Sequence, residues 1–444
     1  MLRRGSRRRS GLHRATGPGR RRTHRGELLV VAATAILAAA LAAGCGSSSG
    51  KGPVTLNWYV FPEPSGSFAS AAATCSKNSG GAYNIKINFL STSSDQQRVS
   101  LVRRLAANDS SIDILAMDVD WTAEFATAKW IRPVPSNLVL QIKSVDLPGP
   151  IETATWEGAL YGIPINSNTQ LLWYRKDLLA KIGQPVPTTW AQMFADSEQL
   201  AKMGQPHFIE VQGAQYEGLT VWFNTLVNSA GGRIITGNNE VVLDHTASTA
   251  ASIMRQLANG ASADPSLNVS MEGSADTAFD QGNAAFELNY PFVWASAQKT
   301  NPTVAKQMGY AAFPQVSTGI PPHVSIGGYN LAVSTHSTHA ALAFDAISCL
   351  TQQANEITYA VKGGLAPVRG AVYQLPSFIK LYPFAALIEE QLKTFGIRPQ
   401  TPAYADVTLA IQKTLSPTSN INPSSVVNTL RSQIKASLSS SALL

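Results

Sequence analysis

The chain has 444 residues with 35 basic and 28 acidic side chains, and the surplus of positive charge is local: ten arginines fall within residues 1–26 and Glu27 is the first acid. Set residues 1–27 aside and 25 basic side chains face 27 acidic ones, which leaves no case for a nucleic-acid-binding face. Seven scattered histidines, three cysteines and no HExxH, CxxC, GxSxG or P-loop pattern offer no metal site, reactive thiol pair, nucleophile elbow or phosphate cradle, and so no cofactor.

In chain order, the arginine-rich start leads into an uncharged apolar run, 28–43, the layout of a secretory signal. A membrane-spanning helix needs about 20 apolar residues, so this run is a poor span. Gly44-Cys45 follows, then a Gly/Ser spacer of the kind that tethers a domain. The layout resembles a bacterial lipobox, with Ala42 where leucine is usual and Leu41 one place early. It implies a signal peptide over 1–44, lipidation at Cys45 and a spacer over 45–52; the alternative is ordinary cleavage with Cys45 left free. About 400 residues remain, too many for one compact core and natural for two lobes.

Alternation predicts a strand over 54–60, then a helix over 67–78, a strand over 84–90, a helix over 95–108 and a strand over 112–117. This βαβ order argues for an open α/β sheet, in which ligands lie beyond the carboxyl ends of the strands. Asp118, Asp120 and Trp121 follow one such end. Residues 130–150 are proline-rich and read as irregular, and 160–164 returns as a strand. A further strand crosses to a second body near Leu171 to Tyr174. From 187 to 322 the chain reads as mainly helical, with helices over 190–203, 218–230 and 246–257 and a short strand over 282–288. A second crossing is predicted over 324–333, a helix over 340–353, a Gly/Pro loop over 363–369 and a third crossing past 375. Helices over 377–393, 404–415 and 424–438 complete the chain. Cys75 and Cys349 lie in two helix-like segments, and an even pair in an exported chain reads as a disulfide, the alternative being two buried thiols.

Several segments carry a family resemblance: Tyr174-x-Lys176-Asp177-Leu178-Leu179 after the first crossing, AMDVDWTAEF, NTQLLWY, EGLTVWFNTLVNSAGG, ADPSLNVSMEGSADTAFDQGNAAFELNYPF, VSIGGYNLAV and KGGLAPVRG. Together they resemble family 1 of the extracellular solute-binding proteins of ABC importers, closest to the mycobacterial-type trehalose-recycling lipoproteins. The resemblance implies an α/β, two-lobed periplasmic-binding-protein-like fold (type II, Venus flytrap). Its lobes would be 53–166 with 328–374 and 167–327 with 375–444. It further implies a monomeric, non-enzymatic receptor that clasps a trehalose-like disaccharide. Held to the outer face of the cytoplasmic membrane by a lipid, it would deliver the sugar to permease subunits driven by a cytoplasmic ATPase. The implied ligand set is Asp118, Asn168, Glu272, Tyr290, Gly327, Gly328 and Arg369. Tyr290 departs from the family's usual tryptophan.

The chemistry of the residues points the same way. Sugar hydroxyls donate and accept together, so carboxylates and amides are their natural partners, and a guanidinium offers them a planar fork. The C–H face of a pyranose packs on an aromatic ring, a role open to Tyr290, Trp121, Phe292 and Trp294. Glu63 and Asn289 are weaker candidates. Each residue also has a structural reading: Asp118 as a helix N-cap, Asn168 as a partner for crossover backbone, Glu272 as a helix-dipole acid, Arg369 as an ion-paired loop residue, Tyr290 as core. Another oligosaccharide or a polyol is the second choice of ligand. A glycosidase, pairing Asp118 with Asp120 or Glu272, is a distant third.

Overall fold

A computed structural model describes residues 52–440. The signal segment 1–44, Cys45 and the spacer up to residue 51 lie outside the described residues. The described strands are β1 (Val54–Val60), β2 (Tyr83–Phe89), β3 (Ile114–Asp118), β4 (Thr155–Trp156), β5 (Ala159–Leu160), β6 (Ile163–Asn168), β7 (Leu171–Arg175), β8 (Phe208–Glu210), β9 (Ala284–Asn289), β10 (Met308–Ala311) and β11 (Gly327–Val333). One sheet runs β2-β1-β3-β11-β6 and the other β10-β7-β9-β8, while β4 and β5 form a small hairpin.

In the first sheet β1 pairs parallel with β2 and β3, and β11 runs antiparallel between β3 and β6. Leu56, Trp58 and Val60 alternate into one core while Asn57 and Tyr59 between them are partly buried on the other face, the period of two expected of a strand. Every residue of β3 is buried, because helices cover both faces there. Phe68 and Ala72 of helix Ser67–Asn78 and Phe344 and Ile347 of helix Ala340–Leu350 fill one face. Leu101 and Leu105 of helix Ser94–Ala106, with Trp121 and Phe125, fill the other.

Cys75 and Cys349 join the first two of these helices in a disulfide that closes 274 residues of sequence. Cross-links of long loops constrain the unfolded chain, so Cys75→Ser with Cys349→Ser should lower stability by about 3 kcal/mol in urea denaturation. A reductant should reproduce the loss in the parent chain and leave the double variant unmoved.

The chain leaves the first sheet at Asn168, crosses at Thr169-Gln170 and enters the second as β7, which lies antiparallel to β9 and β10. Trp190, Trp222, Phe286, Leu288 and Ile411 pack on one face of that sheet. Trp173, Phe279, Val293, Phe384 and Ile388 pack on the other. Helix Trp190–Lys202 begins in a capping box, with Thr189 Oγ1 accepting from Gln192 N and Gln192 Oε1 accepting from Thr189 N, both at 3.2 Å.

Three expectations change. Residues 130–150, predicted irregular, contain helices Ser136–Val145 and Pro148–Thr153, because Pro135 precedes the first and Pro148 opens the second, where a missing N–H costs nothing. The single helix over 377–393 is two, Pro376–Leu381 and Ala385–Lys393, since Pro383 pushes Tyr382 out of the helical region (φ −129°, ψ 70°). The strand expected over 282–288 is β9, but the mainly helical stretch after 187 also holds β8 and β10, which span only three and four residues.

Candidate ligand-binding cleft

Strand ends of the first sheet meet helix starts of the second body around a cavity of about 360 Å³. From the first sheet come Asp118 at the carboxyl end of β3, Asn166 and Asn168 of β6, and Gly327 and Gly328 opening β11. From the second body come Glu217, first residue of helix Glu217–Ser229, Glu272, first residue of helix Glu272–Asp280, and Tyr290, just past β9. Both glutamates occupy the first turn of a helix, where the positive end of the macrodipole favours a carboxylate.

The centre of the cleft wall is Arg398, whose side chain is 4% exposed. Its Nη2 donates to Asp118 Oδ1 at 2.8 Å, and its Nη1 donates to Asp120 Oδ2 at 2.9 Å and to Glu217 Oε1 at 2.7 Å. Ser94 donates to the other oxygen of Asp118 at 3.1 Å, Thr408 donates to Glu217 Oε2 at 2.6 Å, and the Tyr404 hydroxyl donates to Glu217 Oε1. One guanidinium thus holds acids from both bodies. Three carboxylates on one cation exceed its charge, and burial pushes the Asp120 carboxyl well above the usual range against the pull of Arg398. Burial also raises Glu217, again opposed by Arg398.

Glu272 lies partly open to the cleft; burial raises its carboxyl, and the neighbouring Tyr216 hydroxyl offsets part of the rise. The Tyr290 ring passes over Gly327, where a β-carbon would stand 3.4 Å from it. Gly328, at φ +129°, permits a closer approach still, since a β-carbon there would come within 2.3 Å of the Asn166 carbonyl. Asn168 Oδ1 accepts from Ala366 N at 3.1 Å, tying the 363–369 loop to the end of β6. Tyr329 stacks on Phe61 with centroids 4.2 Å apart, and both rings line the cavity.

The structure thus brings Asp118, Asn168, Glu272, Tyr290, Gly327 and Gly328 to one cavity, and it places other candidates elsewhere. Arg369 is turned away: its Nε donates to Glu356 Oε1 and its Nη2 to the Thr351 carbonyl, each at 2.9 Å. A buried glutamate on helix Gln353–Gly363 claims it, which is the ion-paired alternative. Glu63 is consumed by the start of helix Ser67–Asn78, accepting from Ser67 N at 3.0 Å and Ser67 Oγ at 2.7 Å. Trp121 is core, 3% exposed and stacked on Phe125, and Trp294 packs edge-on to Phe384. Asn289 lies behind the cleft, donating to the Glu272 carbonyl at 2.9 Å. Asp118 makes no side-chain cap to helix Thr122–Thr127.

Sequence reasoning passed over Arg398, Glu217 and Asn166. Asn166 is 1% exposed and lines the cavity, yet neither its Oδ1 nor its Nδ2 has a hydrogen-bond partner among the described residues. Buried amides are nearly always bonded, so an unmet one at a cavity marks a place for a polar ligand. Among the described residues no acid, histidine and cysteine cluster could hold a metal ion, and no helix is long and apolar enough to cross a membrane.

Residues 77–357 match the family model of the bacterial extracellular solute-binding proteins. A probable ABC transporter-binding protein of Deinococcus radiodurans is 25% identical over 327 residues, covering 71% of this chain and 76% of that protein. A putative binding protein of Brucella abortus is 21% identical over 238 residues, 53% of this chain and 57% of its own length. Among solved structures, the maltose-bound MalE3 of T. maritima superposes with a TM-score of 0.80 at 24% identity, covering 86% of this chain and 99% of that one. The GacH receptor of Streptomyces glaucescens, solved unliganded and with acarbose, gives 0.75 at 18% identity over 87% and 99%. These likenesses fix the architecture as the two-lobed α/β fold of such binding proteins.

Proposed function

This chain belongs to the bacterial extracellular solute-binding proteins, and we propose that it captures a trehalose-like disaccharide between its lobes for delivery to an ABC permease. The family is one of binding proteins, not enzymes. The observation that carries the sugar reading is the unpaired amide of Asn166 in a wall of acids, amides and rings. Asp118, Asn168, Glu217 and Glu272 supply acceptors from both sides of the cavity, while Tyr290 and the Phe61–Tyr329 stack offer faces for C–H packing. A volume of about 360 Å³ lies at the small end of ligand sites, which span about 300–1,000 Å³, and suits two sugar rings better than four. Lobes bounded at 166/167, 327/328 and 374/375, and a lipid at Cys45 holding the mature chain to the outer face of the membrane, complete the proposal.

A specific observation favours a second ligand of the same class. Tyr290 stands where the resembling trehalose receptors carry tryptophan, and a smaller ring with a hydroxyl alters the stacking face, so maltose and polyols belong in the same panel. Thermal shift of residues 46–444 against trehalose, maltose, a maltotetraose and ribitol should single out a disaccharide. A ligand at 100 times its dissociation constant adds about 2.7 kcal/mol to stability. Stabilisation by none of the sugars, alongside binding of an amino acid or peptide, would overturn the sugar reading.

A further inference from the structure

Behind the cleft the second lobe buries four carboxyl groups that its ligand site does not use. Glu287 of β9 stands opposite Glu210 of the parallel strand β8 in the sheet register, and both are at most 1% exposed. Asp276 and Asp280 of helix Glu272–Asp280, one turn apart and 6% exposed, lie near enough for their charges to act on Glu287. One oxygen of each, Glu210 Oε1, Asp276 Oδ1, Asp280 Oδ1 and Glu287 Oε2, has no hydrogen-bond partner among the described residues.

The surroundings supply hydroxyls rather than cations. Ser296 of helix Phe292–Thr300 donates to Asp276 Oδ2 at 2.6 Å and Asp280 Oδ2 at 3.2 Å, and Thr300 donates to Asp280. Lys299 of that helix is exposed. From β7, Trp173 lies opposite Glu287, and Arg175 on the same face is bonded to Asp177 at 2.8 Å. Beyond Trp173 stands Tyr310 of β10, while Asp264 adds a further acid beside Glu210. Like charges directly across a sheet repel, and an unpaired ionised carboxylate in the interior is costly enough that the group takes up a proton instead.

What makes this group more than a buried oddity is its connection to the cleft. Glu287 Oε1 accepts from Asn289 Nδ2 at 2.6 Å; the same Nδ2 donates to the Glu272 carbonyl at 2.9 Å, and Asn289 Oδ1 accepts from Tyr290 N at 2.9 Å. One amide therefore fixes two cleft residues carried by different elements.

We propose that protonated Glu287 is a positioning residue that sets Asn289, and through it Glu272 and Tyr290, so that ligand affinity falls as this carboxyl cluster loses its protons. The inference rests on the sugar-binding reading of the cleft. Ionisation would drive β8, β9 and helix Glu272–Asp280 apart by like-charge repulsion and pull the Asn289 contacts out of register. Burial, followed by Asp276, lifts Glu287 well above the ordinary range; burial raises Glu210 to about 8 and Asp276 to about 7. Folded-state values above the unfolded ones mean that the stabilisation is full below the ordinary carboxyl range and is lost as pH rises from there through the folded values, about 7 for Asp276 and about 8 for Glu210.

The test is calorimetry of the parent chain and of Glu287→Gln, the isostere of the protonated acid, at pH 6, 7.5 and 9 with trehalose or the best sugar of the panel. The parent should weaken about 10-fold from pH 6 to 9, about 1.4 kcal/mol, while Glu287→Gln should change by about 2-fold at most. Glu287→Ala, lacking any acceptor for Asn289, should bind more weakly at every pH. Superimposable profiles for the parent and Glu287→Gln would overturn the proposal. A ligand-free readout separates it from the sugar reading: the Asn289 side-chain amide resonances, assigned by their loss in Asn289→Asp, should move with pH in the parent and stay still in Glu287→Gln. If no sugar binds, the sugar reading fails, and stationary Asn289 resonances in the parent would sink the relay on their own.

Discussion

Replacing Arg398 with methionine is expected to cost about 3–5 kcal/mol of folding stability at pH 7.5, the range for breaking a buried ion pair by removing one partner. The cause is what stays behind. Asp118, Asp120 and Glu217 converge on this guanidinium within 2.9 Å, and without it three acids share a dry site. Asp120 and Glu217, already raised by burial, then keep their protons to higher pH than in the unfolded chain, so the variant loses stability as pH rises, and its deficit at pH 5 should be the smaller one. Urea denaturation at both pH values checks the sign. Arg398→Lys should rescue only part of the loss, since a point charge cannot meet three carboxylates as a planar fork does. Sugar affinity should fall with stability, because Arg398 also lines the cavity and Asp118 depends on it for its orientation. A methionine variant as stable as the parent at pH 7.5 would show that the cluster is dispensable to folding.

The history of that arginine shows where sequence reading succeeds and where it stops. Helices Ser67–Asn78 and Tyr404–Leu415 and strand β1 carry their periodicity within a few residues, and their bounds are legible from it. Asp118 and Glu272 are equally local signals, one at a strand end and one at a helix start. Arg398 has no such signature: its partners lie 181 to 280 residues away. Arg369, a lone arginine in a Gly/Pro loop, looks the same on paper, and only Glu356 on the preceding helix separates the two. Asn166 was hidden for another reason. Its significance is an unmet hydrogen bond, a property of surroundings that the PINSN string does not contain. The strands β8 and β10 are too short for alternation to register.

Removing Asp118 and Glu272 separately should each weaken sugar binding by about 10- to 100-fold, since a hydrogen bond to a charged group contributes about 1.5–3 kcal/mol. The pair is informative because the two acids line the cavity from different elements, Asp118 at the end of a first-sheet strand and Glu272 at the start of a helix packed on the second sheet. Closure is favoured only by contacts made in the closed state, so a ligand that has lost its hold on one lobe no longer draws the other fully onto it. The second loss should then matter less: Asp118→Asn with Glu272→Gln is expected to fall short of the product of the single effects, about 1,000-fold rather than 10,000-fold, a coupling that a double-mutant cycle by calorimetry measures. Amide replacements are preferred to alanine because the amide oxygen introduced by Asp118→Asn would still accept from Arg398 and spare the ion cluster. Arg369→Ala is the matching control. Its guanidinium is held by Glu356 and Thr351 outside the cavity, so its loss should lower stability and leave the dissociation constant within about 2-fold. Were Arg369→Ala to abolish binding while both acidic variants bound normally, the ligand would lie elsewhere and the cleft between Asp118 and Glu272 would need another occupant.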